Sequence, residues 1–209
     1  MRIRWKRVLK PKISWLVPGY FLFGFSSCTA PNTNRQEPMI AKEIPGVFKL
    51  SSDPAFSNRE DTVCYKGNYY TGYRYTVYPN NDTAVLEGYF NGVEEGLQRK
   101  WYPGKQIEES RFYINGKKEG IQQGWWPNGK QKFCFTAMHD AYEGNFKEWY
   151  FSGLLGKDFN YSMGQETGSE RLWWDNGTVR ANYVIKKGKK YGLLGLKTCT
   201  NPYDSIFKK

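Results

Sequence analysis

The sequence has little of the chemistry on which enzymes and metal sites rely. It contains a single histidine, His139, among 209 residues, and its four cysteines form no C-x-x-C pair. It has no nucleophile elbow, no H-E-x-x-H motif and no glycine-rich phosphate loop. Because a lone surface histidine is far more often inert than catalytic, we expect a protein that is not an enzyme and that has no metal and no cofactor.

The chain also lacks a hydrophobic run of membrane-spanning length. Its apolar stretch ISWLVPGYFLFGF, residues 13–25, is interrupted by Pro18 and is too short for a transmembrane helix. It follows the basic segment MRIRWKRVLKPK and ends in SSC, so residues 1–27 resemble a bacterial lipoprotein signal in which Cys28 is lipidated. Phe25 departs from this pattern, which usually has Leu three residues before the cysteine. A plain signal peptide and an uncleaved anchor are the alternatives.

An excess of positive charge is concentrated in that same segment. The net charge is +11, but residues 1–27 hold six basic residues and no acidic one, which leaves 25 basic and 20 acidic residues elsewhere. A net charge of +5 with both signs interspersed is an ordinary protein surface, so we expect no nucleic-acid partner.

What the chain has in abundance is aromatic residues and glycine, and both recur with a fixed period. Aromatic residues make up 18% of the sequence, a composition that suits strands and tight turns. Glycines recur every 24 residues, and an aromatic pair and two turn signals keep step with them. The glycines, here called the phase glycines, are Gly72, Gly96, Gly120, Gly144, Gly168 and Gly192.

Each repeat carries the signals of a β-hairpin. PNG at 127–129 and NGKK at 115–118 place Asn or Gly where tight turns need a positive φ, and strand-length segments lie between such turns. The sequence therefore predicts an all-β protein, an elongated antiparallel β-meander of about five 24-residue hairpin repeats. The predicted organisation is a signal peptide at 1–27, a flexible tether with a candidate N-terminal strand at 28–63, a repeat domain at 64–199 and a tail at 200–209.

The pattern G…WYPNG…Y.NGKK.G resembles the MORN-variant repeat of bacterial proteins labelled YwqK-type antitoxins. The resemblance covers about two-thirds of the chain and implies the β-meander fold. Its third copy, CFTAMHDAYEG, lacks the Tyr and the Asn-Gly turn, and its fourth lacks Pro in the first turn. We expect an irregular connection at both places.

The aromatic pairs are the candidate binding residues. Neighbouring strand residues face opposite sides, so the pairs predict two ladders, each of which is either core or an exposed anchor for a partner. A protein partner is favoured, and glycan or lipid stays open. The Lys-rich turns at 115–120 and 186–192 suit either solvated hairpin tips or contact with phosphate headgroups. The candidate residues are Trp101, Tyr102, Trp125, Trp126, Trp149, Tyr150, Trp173 and Trp174.

The remaining cysteines are Cys64, Cys134 and Cys199. An extended array would separate its ends by roughly 45 Å, whereas a disulfide needs Cα atoms within about 7 Å. A bridge between Cys64 and Cys199 is therefore disfavoured, and separate thiols are predicted.

Together these features predict a membrane-anchored lipoprotein of the bacterial cell envelope. Lipidated Cys28 would hold it at a membrane, facing the periplasm or the outside, and the repeats would act as an interaction or scaffold module. The alternative is an antitoxin-like protein that binds and neutralises a toxin, which requires that residues 1–27 do not export the chain.

Overall fold

The computed structural model describes residues 40–195, and these residues form eighteen β-strands and no helix. The predicted signal peptide, Cys28, Cys199 and the tail at 200–209 lie outside the described residues, as do residues 29–39. The strands are β1 (Phe48–Leu50), β2 (Phe56–Arg59), β3 (Thr62–Tyr65), β4 (Asn68–Tyr69), β5 (Gly72–Val77), β6 (Thr83–Phe90), β7 (Val93–Glu94), β8 (Gly96–Trp101), β9 (Ile107–Ile114), β10 (Lys117–Lys118), β11 (Gly120–Trp125), β12 (Gln131–Met138), β13 (Ala141–Trp149), β14 (Leu155–Ser162), β15 (Gln165–Glu166), β16 (Gly168–Trp173), β17 (Val179–Lys186) and β18 (Lys189–Leu193).

Most of these strands belong to one long sheet of fifteen strands, and β2, β3 and β4 form a separate small sheet. From β5 onward all pairs are antiparallel, in the order β5-β6-β8-β9-β11-β12-β13-β14-β16-β17-β18, so the sheet is a meander of hairpins. The short strands β7, β10 and β15 pair with β6, β9 and β14. The predicted all-β meander is confirmed. One pair differs, because β1 lies parallel to β5 and makes the sheet mixed.

The second turn of each repeat is a two-residue hairpin loop with positive φ at both central residues. Asn115 and Gly116 have φ of 51° and 79°, as the Asn-Gly signal predicts. In the third copy His139 and Asp140 adopt the same conformation, with φ of 51° and 71°. The irregular connection expected there is wrong, because contacts from the preceding hairpin hold this turn in place. Glu119 accepts a hydrogen bond from the His139 N–H at 2.9 Å, and Asp140 accepts one from the Lys118 N–H at 2.8 Å.

The first turn of each repeat is also regular, including the fourth and fifth copies, which have no proline there. In the third copy the N–H of Gly129 donates to the Trp126 carbonyl at 2.8 Å, and Gly129 has a φ of 80°. In the fourth copy Gly153 donates to Tyr150 at 2.8 Å and has a φ of 88°. The expected irregularity at this turn is therefore wrong as well. Proline favours the turn, but the conformation depends on glycine at the position with positive φ.

Backbone geometry explains why glycine stands at the phase positions, as Gly120 illustrates. Gly120 has a φ of 68°, and the strand pairing shifts by two residues on passing it, since Lys118 pairs with Tyr113 and Gln123 with Ser110. Across this shift the Phe112 carbonyl accepts from the Glu119 N–H at 2.9 Å, and the Phe112 N–H donates to the Gln122 side-chain oxygen at 3.4 Å. Buried side chains thus supply part of the hydrogen bonding at this place. The buried Gln122 donates to the Phe112 carbonyl at 3.1 Å, and in the fifth copy the buried Glu170 accepts from the Asn160 N–H at 3.2 Å.

The core lies along one face of the sheet, which we call the aromatic face. Its centre is Phe135, whose ring stacks on Phe146 with centroids 5.3 Å apart, and the row continues through Phe159 to Tyr183 and Ala181. Phe133 extends the row and packs over Gly124, where a Cβ would lie only 2.3 Å from its ring.

The N-terminal part of the described chain packs against the first repeats. The Lys42 N–H donates to the buried Glu95 carboxylate at 2.9 Å, and its ammonium donates to Asn115 at 2.6 Å. Tyr70, which is buried next to the small sheet, donates through its hydroxyl to the Tyr73 carbonyl at 2.9 Å. Residues 40–63 therefore close the first end of the meander.

The cysteines do not all behave alike. Cys64 is a buried free cysteine, so it forms no bridge with Cys199. Cys134 is also buried but is disulfide-bonded. The prediction of separate thiols is therefore wrong for Cys134, because pairing depends on Cα distances that the sequence spacing does not reveal.

Candidate ligand-binding cleft on the aromatic face

The second residue of each aromatic pair connects neighbouring repeats. Its side chain donates a hydrogen bond to the backbone carbonyl of the first aromatic residue of the next pair, which lies 23 positions further on. The four bonds are Tyr78 to Trp101 at 2.6 Å, Tyr102 to Trp125 at 3.1 Å, Trp126 to Trp149 at 3.0 Å and Tyr150 to Trp173 at 2.8 Å. These bonds set the spacing of successive hairpins.

The predicted binding residues differ accordingly in exposure. Trp174 is exposed over 48% of its surface, and within residues 40–195 its indole donates no hydrogen bond to a further repeat. The others are half-buried: Trp101, Tyr102, Trp125, Trp126, Trp149, Tyr150 and Trp173. The structure brings Trp126, Trp149 and Tyr150 together around one cleft.

The second residues of the aromatic pairs form a column along the sheet, and cations lie over two of their rings. The Lys132 ammonium lies 4.7 Å from the centroid of Trp126, and the Arg180 guanidinium lies 4.6 Å from that of Trp174. In the repeat between these two, the residue that corresponds to Lys132 and Arg180 is Gly156. It lies where the pairing of β13 with β14 shifts register, between Glu148 and Trp149 on the opposite strand. Among the described residues no cation lies over the Tyr150 ring, and that ring leans onto Gly156 instead, 2.9 Å from where a Cβ would be.

The missing side chain opens a cleft of about 360 Å³. Its apolar lining includes Phe133, Tyr150 and Leu172. A cleft of this size lies at the lower end of the range for small-molecule sites. The charged side chains around it are Lys132, Glu148, Lys157 and Arg180.

Positive charge dominates the cleft. The Lys157 ammonium lies between two rings, 4.6 Å from the centroid of Phe146 and 4.5 Å from that of Phe159. Within residues 40–195 neither it nor Lys132 nor Arg180 has a carboxylate within ion-pair distance. Glu109 and Glu170 attract Lys132 and Lys157 from beyond ion-pair distance. The lining still holds three cations and one carboxylate, Glu148, which leaves a net positive charge over an apolar floor.

A second, smaller cleft of about 130 Å³ lies on the same sheet nearer the N-terminus. Its lining holds three carboxylates and three cations, namely Glu87, Glu94, Glu109, Arg99, Lys100 and Arg111. Arg111 donates to the Glu109 carboxylate at 2.9 and 3.1 Å. Burial raises the pKa of Glu109, but hydrogen bonding and charge from Arg111 outweigh it and leave that pKa lowered. Burial and the nearby Glu87 raise the pKa of Glu94. The lining of this cleft therefore has no excess of either charge, and it offers less to a charged ligand than the larger cleft does.

The residues that carry the larger cleft were not singled out by sequence reasoning. Lys132 and Arg180 occupy one column of the repeat, twelve residues after a phase glycine, and Gly156 lies between them in that column. The first two repeats have Ala84 and Glu108 there, so the aligned repeats alone do not mark it as a column of cations. Its meaning depends on the register shifts, which place this column beside the aromatic rings.

The described residues hold no other constellation with evident chemistry. His139 is exposed in its turn, and no group of three or more His, Cys, Asp or Glu between residues 40 and 195 is arranged to hold a metal ion. No helix of membrane-spanning length and hydropathy occurs in that part of the chain.

Comparison with known proteins gives no assignment. No protein-family model matches the chain, and neither a curated protein nor a solved structure matches it significantly.

Proposed function

We propose that this protein is a lipid-anchored lipoprotein of the bacterial cell envelope whose repeat sheet binds a ligand and does not catalyse a reaction. The observation that supports it most is the cleft beside Tyr150, where three cations without an ion pair among the described residues surround an apolar floor. Binding sites commonly combine an apolar lining with a few charged groups in this way.

The construction of the sheet supports a role in which a stiff array of repeats presents the cleft to a ligand. Side chain to backbone bonds join each repeat to the next at the aromatic column, and glutamates join them again at the second turns. Each repeat contacts its neighbours, so the array is stiff along its length and keeps the cleft in a fixed shape. Nucleophile, base and oxyanion donors do not converge in the cleft, so binding is the role that its residues support.

The location rests on the sequence of residues 1–28, with its basic start, apolar stretch and SSC ending. Several acyl chains on one cysteine would hold the chain firmly, because each buried CH₂ contributes about 0.8 kcal/mol.

Expression in a bacterial host tests the anchor. The Cys28→Ala variant is expected to leave the membrane fraction, while a Ser26→Ala control in the same motif stays there. Mass spectrometry of the mature N-terminus of the parent protein is expected to show acylation. Retention of Cys28→Ala in the membrane after signal removal would exclude the lipid anchor.

Photo-crosslinking in intact cells tests the binding role. A photoreactive amino acid replaces either Trp174, which is exposed next to the cleft, or Arg171, which is exposed and pairs with Asn182 away from the cleft. We expect one dominant adduct of any chemical class from position 174 and none from position 171. Equal labelling of the two positions, or none, would argue against a binding role for this face. A cytoplasmic toxin as the adduct would instead support the antitoxin-like alternative.

A further inference from the structure

We propose that the cleft beside Tyr150 binds an acidic oligosaccharide, with a sugar ring on the Tyr150 ring and carboxylates of its sugars against Lys132 on one side and Arg180 on the other. This inference rests on the proposed binding function and specifies its ligand.

The first argument is the uncovered aromatic ring. In neighbouring repeats a cation lies over the corresponding ring, at 4.7 Å for Trp126 and 4.6 Å for Trp174. At Tyr150 the corresponding residue is Gly156, so the ring packs on this glycine and no described cation lies over it, while its hydroxyl is held by a bond of 2.8 Å to the Trp173 carbonyl. The ring is thus fixed, and it lines the cleft. The weakly polar C–H face of a sugar ring is suited to such an aromatic surface.

The second argument is the charge. Lys132, Lys157 and Arg180 line the cleft, and no described carboxylate lies within ion-pair distance of any of them. A ligand carboxylate would supply the missing counter-charge, and charge-assisted hydrogen bonds to it are stronger than neutral ones.

The third argument is the single carboxylate at the cleft. Glu148 is exposed and lines the same space. It would repel a multiply charged phosphate, but it accepts hydrogen bonds from hydroxyl groups. An oligosaccharide whose rings each bear one carboxylate and several hydroxyls satisfies the cations and Glu148. Inorganic phosphate and the phosphatidylglycerol headgroup have no sugar ring to lie on the Tyr150 ring.

The floor of the cleft also argues against an extended peptide. Strands β12, β13, β14, β16 and β17 beneath it are each paired with neighbours on both sides. Their backbone groups are therefore used within the sheet, and a peptide strand has no free edge to pair with at this place.

Binding measurements on the full chain in detergent test the proposal. The probes are fluorescent uronic-acid oligosaccharides and their methyl-esterified, neutral counterparts. We expect at least one acidic probe to bind on the order of tenfold or more tightly than its ester, because the ester loses a charge-assisted contact.

Matched variants locate the site. Lys132→Gln and Arg180→Gln keep much of the side-chain length and are expected to weaken acidic-probe binding on the order of tenfold each. The control is Arg171→Gln, which removes the same charge from an exposed position away from the cleft and is expected to change affinity less than about twofold. Lys157→Met retains the apolar packing against Phe146 and Phe159 and is expected to weaken binding without loss of folding.

Several results would overturn the saccharide assignment. They are equal affinity for acid and ester, no saccharide binding, an equal effect of Arg171→Gln, or stronger binding of inorganic phosphate, phosphatidylglycerol vesicles or single-stranded DNA. If these occur while position 174 still gives a specific crosslink, the binding role stands and only the ligand class is wrong. If the crosslink also fails, the proposed function fails with it.

Discussion

The hydroxyl of Tyr150 donates a hydrogen bond of 2.8 Å to the backbone carbonyl of Trp173, one repeat further along the chain. The same bond recurs at three earlier repeats. Aromatic residues that the sequence marks as binding candidates thus also define the distance between hairpins.

Removal of this hydroxyl is expected to destabilise the protein. Tyr150→Phe leaves the Trp173 carbonyl without its side-chain donor, at a cost of about 1 to 2 kcal/mol in the free energy of unfolding. Urea denaturation followed by tryptophan fluorescence measures it. The control is Tyr142→Phe, because Tyr142 is exposed and its hydroxyl has no hydrogen-bond partner within residues 40–195. That change should stay within about 0.5 kcal/mol. Equal effects would show that the inter-repeat bond contributes nothing.

Glu95 is expected to be the most sensitive of the glutamates that join successive turns. Its carboxylate is 1% exposed and accepts hydrogen bonds from the N–H groups of Lys42 and Asn115. Glu95→Ala leaves both donors unpaired, with an expected cost on the order of 3 kcal/mol. Glu143→Ala, which releases only the Met163 N–H, is expected to cost about half as much. Denaturation midpoints of the two variants compare them, and the reverse order would contradict this account.

The turn at His139 offers a gain in stability. His139 has a φ of 51°, a conformation that asparagine tolerates better than most residues. His139→Asn keeps the backbone N–H that donates to Glu119 and is expected to stabilise the protein by about 0.5 kcal/mol. His139→Val, with a β-branched side chain at positive φ, should destabilise it by about 1 to 2 kcal/mol. Thermal unfolding distinguishes them, and a more stable valine variant would refute the argument from φ.

Stability is expected to fall with rising pH because of Glu170. Burial raises the pKa of this carboxyl from 4.5 to about 7 in the folded protein. Between these values the folded state holds a proton that the unfolded state has lost, so the free energy of unfolding decreases as the pH increases and levels off above about 7.

Glu170→Gln should remove this part of the pH dependence, since glutamine already occupies the equivalent buried position at Gln122. Urea denaturation of both proteins between pH 4 and pH 8 measures the difference. A variant with the same slope as the parent would show that another group causes it.

The hairpins could be predicted because turns place strong local demands on residue type. Gly116 and Gly129 stand where φ is positive, and their recurrence gives the period and the all-β class. The turn at His139 and Asp140 is not predicted, because it lacks the Asn-Gly pair. Both residues tolerate positive φ better than most, and contacts with Glu119 and Lys118 hold them in this conformation.

The amino-acid sequence by itself determined the 24-residue repeat, the two turns of each unit and the meander, since these depend on local conformational preference and alternation. The tertiary structure alone decided that β1 joins in parallel and that Cys134 is disulfide-bonded. It also decided that Lys132, Tyr150, Gly156 and Arg180 line one cleft. The physical reason is that a strand register shifted by a bulge changes which side chains share a face. Such shifts depend on the pairing of whole strands, which no single repeat specifies.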